Sequence, residues 1–169
     1  MGKPITTIEL EWYGKKVRLE LFDDTDYSKL KPIRQIQAVC FLDDNHLVLY
    51  KSGRGNYGFP GGHPESGETW EDTLRRETEE EVEADVINCG PIGYIKETDI
   101  MTGDIKYFLR YWADVKLIDR QICDPCDSRR VREVVTLDEA VEKLNWGKNG
   151  RVLIELALKA KTALSLNTR

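Results

Sequence analysis

The chain has no apolar stretch approaching the ~18 residues that span a bilayer as a helix. Its opening residues, MGKPITTIELEW, hold no apolar core of signal-peptide length. A soluble, cytoplasmic protein is expected. Cysteine is scarce: Cys40 and Cys89 lie in apolar runs and read as small buried hydrophobes. Cys123-Asp124-Pro125-Cys126 is a lone CxxC pair. A structural zinc site needs two more ligands at matching spacing, and His46 and His63 stand far away in sequence, so a reduced loop is the expected reading. An excess of positive charge is also missing, since 25 Lys and Arg face 30 Asp and Glu, for a formal net charge of −5. That balance argues against a nucleic-acid polymer or an anionic membrane as partner. An anionic small molecule stays open, because a bound metal inverts the local field.

The 169 residues suit one domain, 1–169, with an N-terminal hairpin and connection at 1–31 and a catalytic core at 32–169. Alternating polarity predicts a β-hairpin from Ile5–Trp12 and Lys16–Phe22. A second pair, Ile33–Leu42 and His46–Lys51, is expected across Asp43-Asp44-Asn45. Phe59-Pro60-Gly61-Gly62 is a sharp turn, and a helix starts near Thr69, where Thr69-x-x-Asp72 has the spacing of a capping box. Leu74, Thr78 and Val82 form its inward stripe. Strands follow at Val86–Thr98, Ile105–Lys116 and Arg132–Thr136, then a helix at Leu137–Leu144, a turn at Asn145–Gly150 and an amphipathic helix at Arg151–Leu164. The mixed order predicts an α+β fold, an α/β/α sandwich with a mixed β-sheet between helices. The first hairpin offers an edge on which a homodimer can form.

Residues 62–84 read GHPESGETWEDTLRRETEEEVEA. On a helix Glu77, Glu80 and Glu81 occupy positions i, i+3 and i+4 and share one face. Without a cation each like-charged pair costs about 3 kcal/mol, at about 5 Å and an effective dielectric of about 20, before solvent screening. Mg²⁺ or Mn²⁺, hard ions that take oxygen ligands, would turn the cluster into a binding site.

The pattern Gly62-x5-Glu68-x7-Arg76-Glu77-x2-Glu80-Glu81 resembles the signature of the Nudix hydrolases, with every spacing intact. The resemblance implies a sheet sandwiched between helices, hydrolysis of a nucleoside diphosphate linked to another moiety, and Mg²⁺ or Mn²⁺ as cofactor. It implies that Glu77, Glu80 and Glu81 bind metal, that Arg76 orients a carboxylate, and that a glycine carbonyl, Gly61, adds a ligand. Glu68 looks like a structural partner for Arg76 or for the helix N-terminus, where negative charge is favoured; Gly61 and Gly62 let the backbone turn where a Cβ would clash. Two positions depart from the pattern. Thr78 stands where an aliphatic residue is usual, and Glu83 replaces the glycine that ends the helix. Glu83 does not easily take the left-handed conformation, so a different helix end is expected.

Family members often recruit a further glutamate from across the site; Glu133 fills that place here, with Glu97 as runner-up. For substrate, Tyr57 and Phe59 offer aromatic faces, and Lys51 and Arg54 can receive phosphates. Asn149 stands where triphosphate-cleaving members read a purine edge, although Asn-Gly also suits a turn or N-cap. The best-supported activity is a nucleoside triphosphate pyrophosphohydrolase, with oxidised purines among the candidate substrates. The alternatives are an ADP-ribose or nucleotide-sugar pyrophosphatase and, in another class, a non-catalytic nucleotide-sensing domain. Such sensors tend to lose the carboxylates that this chain keeps.

Overall fold

Strand β1 (Thr6–Trp12) pairs antiparallel with β2 (Lys15–Phe22), from Thr6↔Leu21 to Trp12↔Lys15, as the alternation requires. The computed structural model describes residues 2–12, 14–118 and 130–167, with side chains through 164. Cys123 and Cys126 lie outside the described residues, and so does the reading made of them. The remaining elements are β3 (Ile33–Phe41), β4 (His46–Ser52), β5 (Tyr57–Gly58), β6 (Gly61–Gly62), α1 (Trp70–Val82), β7 (Ala84–Asp99), β8 (Ile105–Leu117), β9 (Arg130–Thr136), α2 (Leu137–Leu144) and α3 (Lys148–Asn167).

Among the described residues nine strands form one sheet in the order β1-β2-β7-β8-β3-β4-β5, with β6 added to β3 and β9 to β4. Of these strands β3 and β8 run parallel, and the other pairs among the described residues are antiparallel. The period-2 alternation of strand side chains separates two cores. On one face Leu74 and Val82 of α1 meet Ile36, Ala38 and Cys40 of β3 and Leu109, Tyr111 and Ala113 of β8. On the other, Ala140 and Leu144 of α2 and Leu153, Ile154 and Ala157 of α3 cover Val39, Phe41 and Trp112. This is a mixed sheet between helices, the expected α+β class. Among the described residues no helix is long and apolar enough to cross a membrane.

The second hairpin differs from the sequence expectation in a way that makes the site. β3 and β4 pair at only two rungs, Cys40↔Val48 and Phe41↔Leu47. Beyond them the strands part. β3 takes β6 instead, through Ile36↔Gly62 and Gln37↔Gly61, while β4 turns to β9 over seven rungs, His46↔Thr136 to Ser52↔Arg130. The glycine turn is therefore wedged into a fork in the sheet. A Cβ at Gly61 would lie 2.1 Å from the Ile36 carbonyl oxygen, so only glycine fits there.

The capping box at the start of α1 forms as its spacing predicts: the Thr69 side chain accepts from the Asp72 N–H, and Asp72 accepts from the Thr69 N–H. Its end corrects the expectation made for Glu83. That residue does adopt the left-handed conformation, with φ 49° and ψ 55°. Its own hydrogen bonds offset the steric cost. The Glu83 N–H donates to the Glu79 carbonyl, and the Glu83 carbonyl accepts from the Ile118 N–H (2.8 Å) and from Arg132 Nη1 (2.9 Å). α3 also begins earlier than its apolar stripe, at Lys148, which places Asn149 inside the first helical turn rather than in the preceding turn.

Candidate active site

Four elements meet at the fork: the β6 glycines, the loop from His63 to Glu68, the inner edge of α1 and the start of β9. They enclose an open cavity of about 560 Å³ whose lining includes Gln35, Gly61, Gly62, Arg76, Glu77, Glu81 and Arg130. Gly62 is fitted to Glu77, since a Cβ there would stand 2.0 Å from Glu77 Oε1.

Arg76 is the hub of the charge network. Its Nε donates to Glu68 Oε1 (2.7 Å) and its Nη2 to Glu68 Oε2 (3.1 Å), a two-pronged contact with fixed geometry. Nη2 also donates to the His63 carbonyl (3.1 Å), and Nη1 reaches Glu77 Oε1 (2.9 Å) and Glu80 Oε2 (3.3 Å). Arg76 beside Glu68, helped by the Glu65 N–H and the Thr73 hydroxyl, holds the Glu68 carboxyl down at about 2. The carboxylates around Arg76 in turn raise its pKa.

Glu81 is the buried member of the trio, 7% exposed. Its Oε2 accepts the Gly61 N–H at 3.2 Å, and Oε1 pairs with Arg130. The Arg130 guanidinium also lies over the Tyr50 ring, 4.7 Å from its centroid. Glu80 sits at the rim with its side chain 57% exposed. Among the described residues no three acidic, histidine or cysteine side chains converge as ligands do. Two arginines instead neutralise the three glutamates, which removes much of the like-charge repulsion along the helix edge. The donor set suits a hard divalent ion: three carboxylates, plus a Gly61 carbonyl that faces Gln35 Nε2 at 3.2 Å.

The other residues singled out from the sequence fall elsewhere. Glu133 lies on β9 with Val135, which packs in the α2 and α3 core, whereas Arg130 and Arg132 of the alternate register reach α1. Its carboxylate accepts from Lys143 Nζ (2.9 Å) and the Tyr57 hydroxyl (2.9 Å), and Lys143 holds its pKa below the usual range. The structure thus separates Glu133 from Glu77, Glu80 and Glu81 by the thickness of the sheet. Glu97 pairs with Lys106 at 3.5 Å on the β7–β8 ribbon, also away from the cavity. Phe59 is fully buried and packs edge-on against Trp146. Tyr57 is flanked by Lys51 and Lys143, with ring distances of 5.7 and 4.6 Å. Arg54 is exposed on the loop between β4 and β5, and neither it nor Lys51 lines the cavity. Asn149 is buried on the inner side of α3. Gln35 and Arg130 were not singled out from the sequence; Gln35 carried no signal there, and Arg130 precedes the strand expected at Arg132–Thr136.

The domain description NUDIX matches residues 33–156 of this chain. The chain belongs to the Nudix family. No curated protein matches it in sequence. Among solved structures it is similar to the Bacillus subtilis pyrophosphohydrolase BsRppH, at 24% identity and a TM-score of 0.57, covering 76% of this chain and 77% of that one. It is similar to a MutT Nudix hydrolase from Burkholderia pseudomallei, at 22% identity and a TM-score of 0.55, covering 75% and 98%. An ADP compounds hydrolase aligns over 95% of this chain and 97% of its own, at 14% identity and a TM-score of 0.56. As a Nudix hydrolase the chain is a pyrophosphohydrolase, from a family that acts on nucleotide small molecules and generally uses divalent cations.

Proposed function

We propose that this Nudix hydrolase is an Mg²⁺- or Mn²⁺-dependent nucleoside triphosphate pyrophosphohydrolase, releasing a nucleoside monophosphate and pyrophosphate. The observation that carries the reading is Glu81: a buried carboxylate anchored by the Gly61 N–H, facing a cavity edged by Glu77 and spanned by Arg130. Glu77, Glu80, Glu81 and the Gly61 carbonyl would hold the metal. When bound, a divalent ion would neutralise the diphosphate oxygens and acidify a water for in-line attack.

The chain's own residues do the positioning. Arg76, locked by Glu68, fixes Glu77 and Glu80 on the cavity side of α1. Gly61 lets the turn pack against Ile36 and Gln37, and Gly62 leaves room for the Glu77 carboxylate beside it. Arg130 gives Glu81 a positive partner, and beside a substrate its guanidinium is placed to meet phosphate oxygens. A second reading, hydrolysis of ADP-ribose or another ADP compound, is favoured by the ADP compounds hydrolase, whose likeness extends over the N-terminal hairpin. A panel of nucleoside triphosphates, ADP-ribose, nucleotide sugars and dinucleoside polyphosphates with Mg²⁺ or Mn²⁺ separates the two. Product analysis in ¹⁸O-water identifies the phosphorus attacked. Cleavage of ADP-ribose with no release of pyrophosphate from any triphosphate would reject the first reading.

A further inference from the structure

The helix that carries Glu77, Glu80 and Glu81 ends without a cation of its own. Its first turn holds Glu71 and Asp72, which suit the positive end of the helix dipole, but its last turn holds no basic residue. The negative end of the dipole therefore adds to the charge of the three glutamates. The terminal carbonyls need partners as well. The residue after Val82 is Glu83 in the left-handed conformation, a position that favours glycine. A side chain from β9 meets both needs. Arg132 is half-buried, and its Nη1 donates to the carbonyls of Glu83 (2.9 Å), Val82 (3.3 Å) and Ile118 (3.3 Å). The Glu83 carboxylate stands 3.8 Å from the same nitrogen. The Ile118 N–H donates to the Glu83 carbonyl, so the chain leaving β8 is tied to the same point.

Strand side chains alternate, so Arg130 shares a face with Arg132, about 7 Å along β9. Arg130 pairs with Glu81 and lies over the ring of Tyr50, which is the rung partner of Arg132. Among the described residues β9 joins the sheet through β4 alone, so side chains set its distance from α1. Arg132 fixes two things at once: the last turn of α1 and the strand that delivers Arg130. Glu81 precedes Val82, and its Oε2 takes the Gly61 N–H at 3.2 Å. A helix rises about 1.5 Å per residue, so a slip of one such step at the end of α1 would break that hydrogen bond.

We propose that Arg132 is a positioning residue for the metal site. It clamps the end of α1 to β9 and so holds Glu81 and Arg130 in the register that a divalent ion and a diphosphate require. The inference rests on the metal reading above and deepens it. It also accounts for Glu83 standing where a helix-ending glycine is usual, since the guanidinium takes up the carbonyls of that left-handed end. All three hydrogen bonds come from one nitrogen. A lysine ammonium, with three donors, can reproduce them, whereas methionine keeps only the apolar stem. Arg75 provides a control, because it also ties α1 to a strand, through the Val86 carbonyl of β7, but does not line the cavity.

Mn²⁺ titration followed by electron paramagnetic resonance, with a non-hydrolysable nucleotide present and well below every melting temperature, reads the site without turnover. Arg132→Met is expected to weaken Mn²⁺ binding by about 10-fold or more. Arg132→Lys should recover most of that loss, to within about 3-fold of wild type. Arg75→Met should lower the melting temperature and leave Mn²⁺ affinity within about 2-fold, as a tie away from the ligands would. Should Arg132→Met melt too low to assay, it is combined with Glu83→Gly, which removes the left-handed strain, and compared with Glu83→Gly alone; a loss of about 3-fold or more is expected. Unchanged Mn²⁺ affinity on losing Arg132, an equal loss in Arg75→Met, or no recovery in Arg132→Lys would overturn the proposal. Uptake that is the same in wild type and Arg132→Met removes this inference and leaves the metal reading standing, whereas no uptake by the wild type removes both.

Discussion

The two faces of the sheet handle charge in opposite ways. On the α1 face every acidic group of the signature has a cationic or N–H partner: Arg76 gathers Glu68, Glu77 and Glu80, and Arg130 and the Gly61 N–H take Glu81. On the α3 face Arg110 and Asn149 lie deep among apolar and aromatic side chains with polar atoms left over. The first face gathers carboxylate oxygens that arginines neutralise, the set proposed above to hold a metal. The second has unspent hydrogen-bonding capacity, which chemistry at the metal does not explain.

The sharpest way to test this division is to disable the α1 face alone. Glu81→Gln is expected to cut turnover by more than the roughly 10–100-fold typical of residues that merely support a metal ligand. Its melting temperature should be close to wild type, and steady-state kinetics with a thermal melt check both halves. Near-wild-type, Mg²⁺-dependent turnover would break the assignment. Next in size, Arg76→Ala frees Glu77 and Glu80 from their orienting group and should weaken Mn²⁺ binding by about 10–100-fold, measured by titration calorimetry.

A pH effect comes third. The Glu68 carboxyl is held at about 2 in the folded chain, against 4.5 for the free group. A depressed carboxyl stabilises the fold fully above its unfolded pKa and loses that contribution as pH falls toward the folded value. The gap in melting temperature between wild type and Glu68→Gln should therefore be constant above about pH 5 and close as pH falls from 4.5 toward 2. A gap that widens on acidification would contradict the Arg76–Glu68 lock. The smallest expected effect is a control from the α3 face. Glu133→Gln should leave Mn²⁺ affinity unchanged, because its carboxylate is spent on Lys143 and Tyr57.

Much of this was legible in the sequence wherever the information was local. The capping box at Thr69 and Asp72, the hairpin of β1 and β2, and the run from Gly62 to Glu81 each depend on near neighbours along the chain. What was hidden depends on pairing between distant segments. Period-2 alternation cannot show that β3 leaves β4 after two rungs, since that follows from Gly61 and Gly62 replacing β4 as its partner. The face on which Glu133 lands is set by the β4–β9 register, in which Leu49 opposes Glu133. Glu83 was misread because its compensating bonds come from Ile118 and Arg132, far along the chain. Arg110 did leave a trace, a lone charge in the aromatic run Tyr107–Trp112, where only burial reveals its missing partners.

The central claim is that the glutamates on the inner edge of α1 exist to hold a divalent ion against a diphosphate. Mn²⁺ uptake by wild type and Glu81→Gln, read by electron paramagnetic resonance with a non-hydrolysable nucleotide present, tests it most directly. Saturable uptake by the wild type that weakens at least 10-fold in the variant is predicted; equal uptake by both, or none by either, would contradict it.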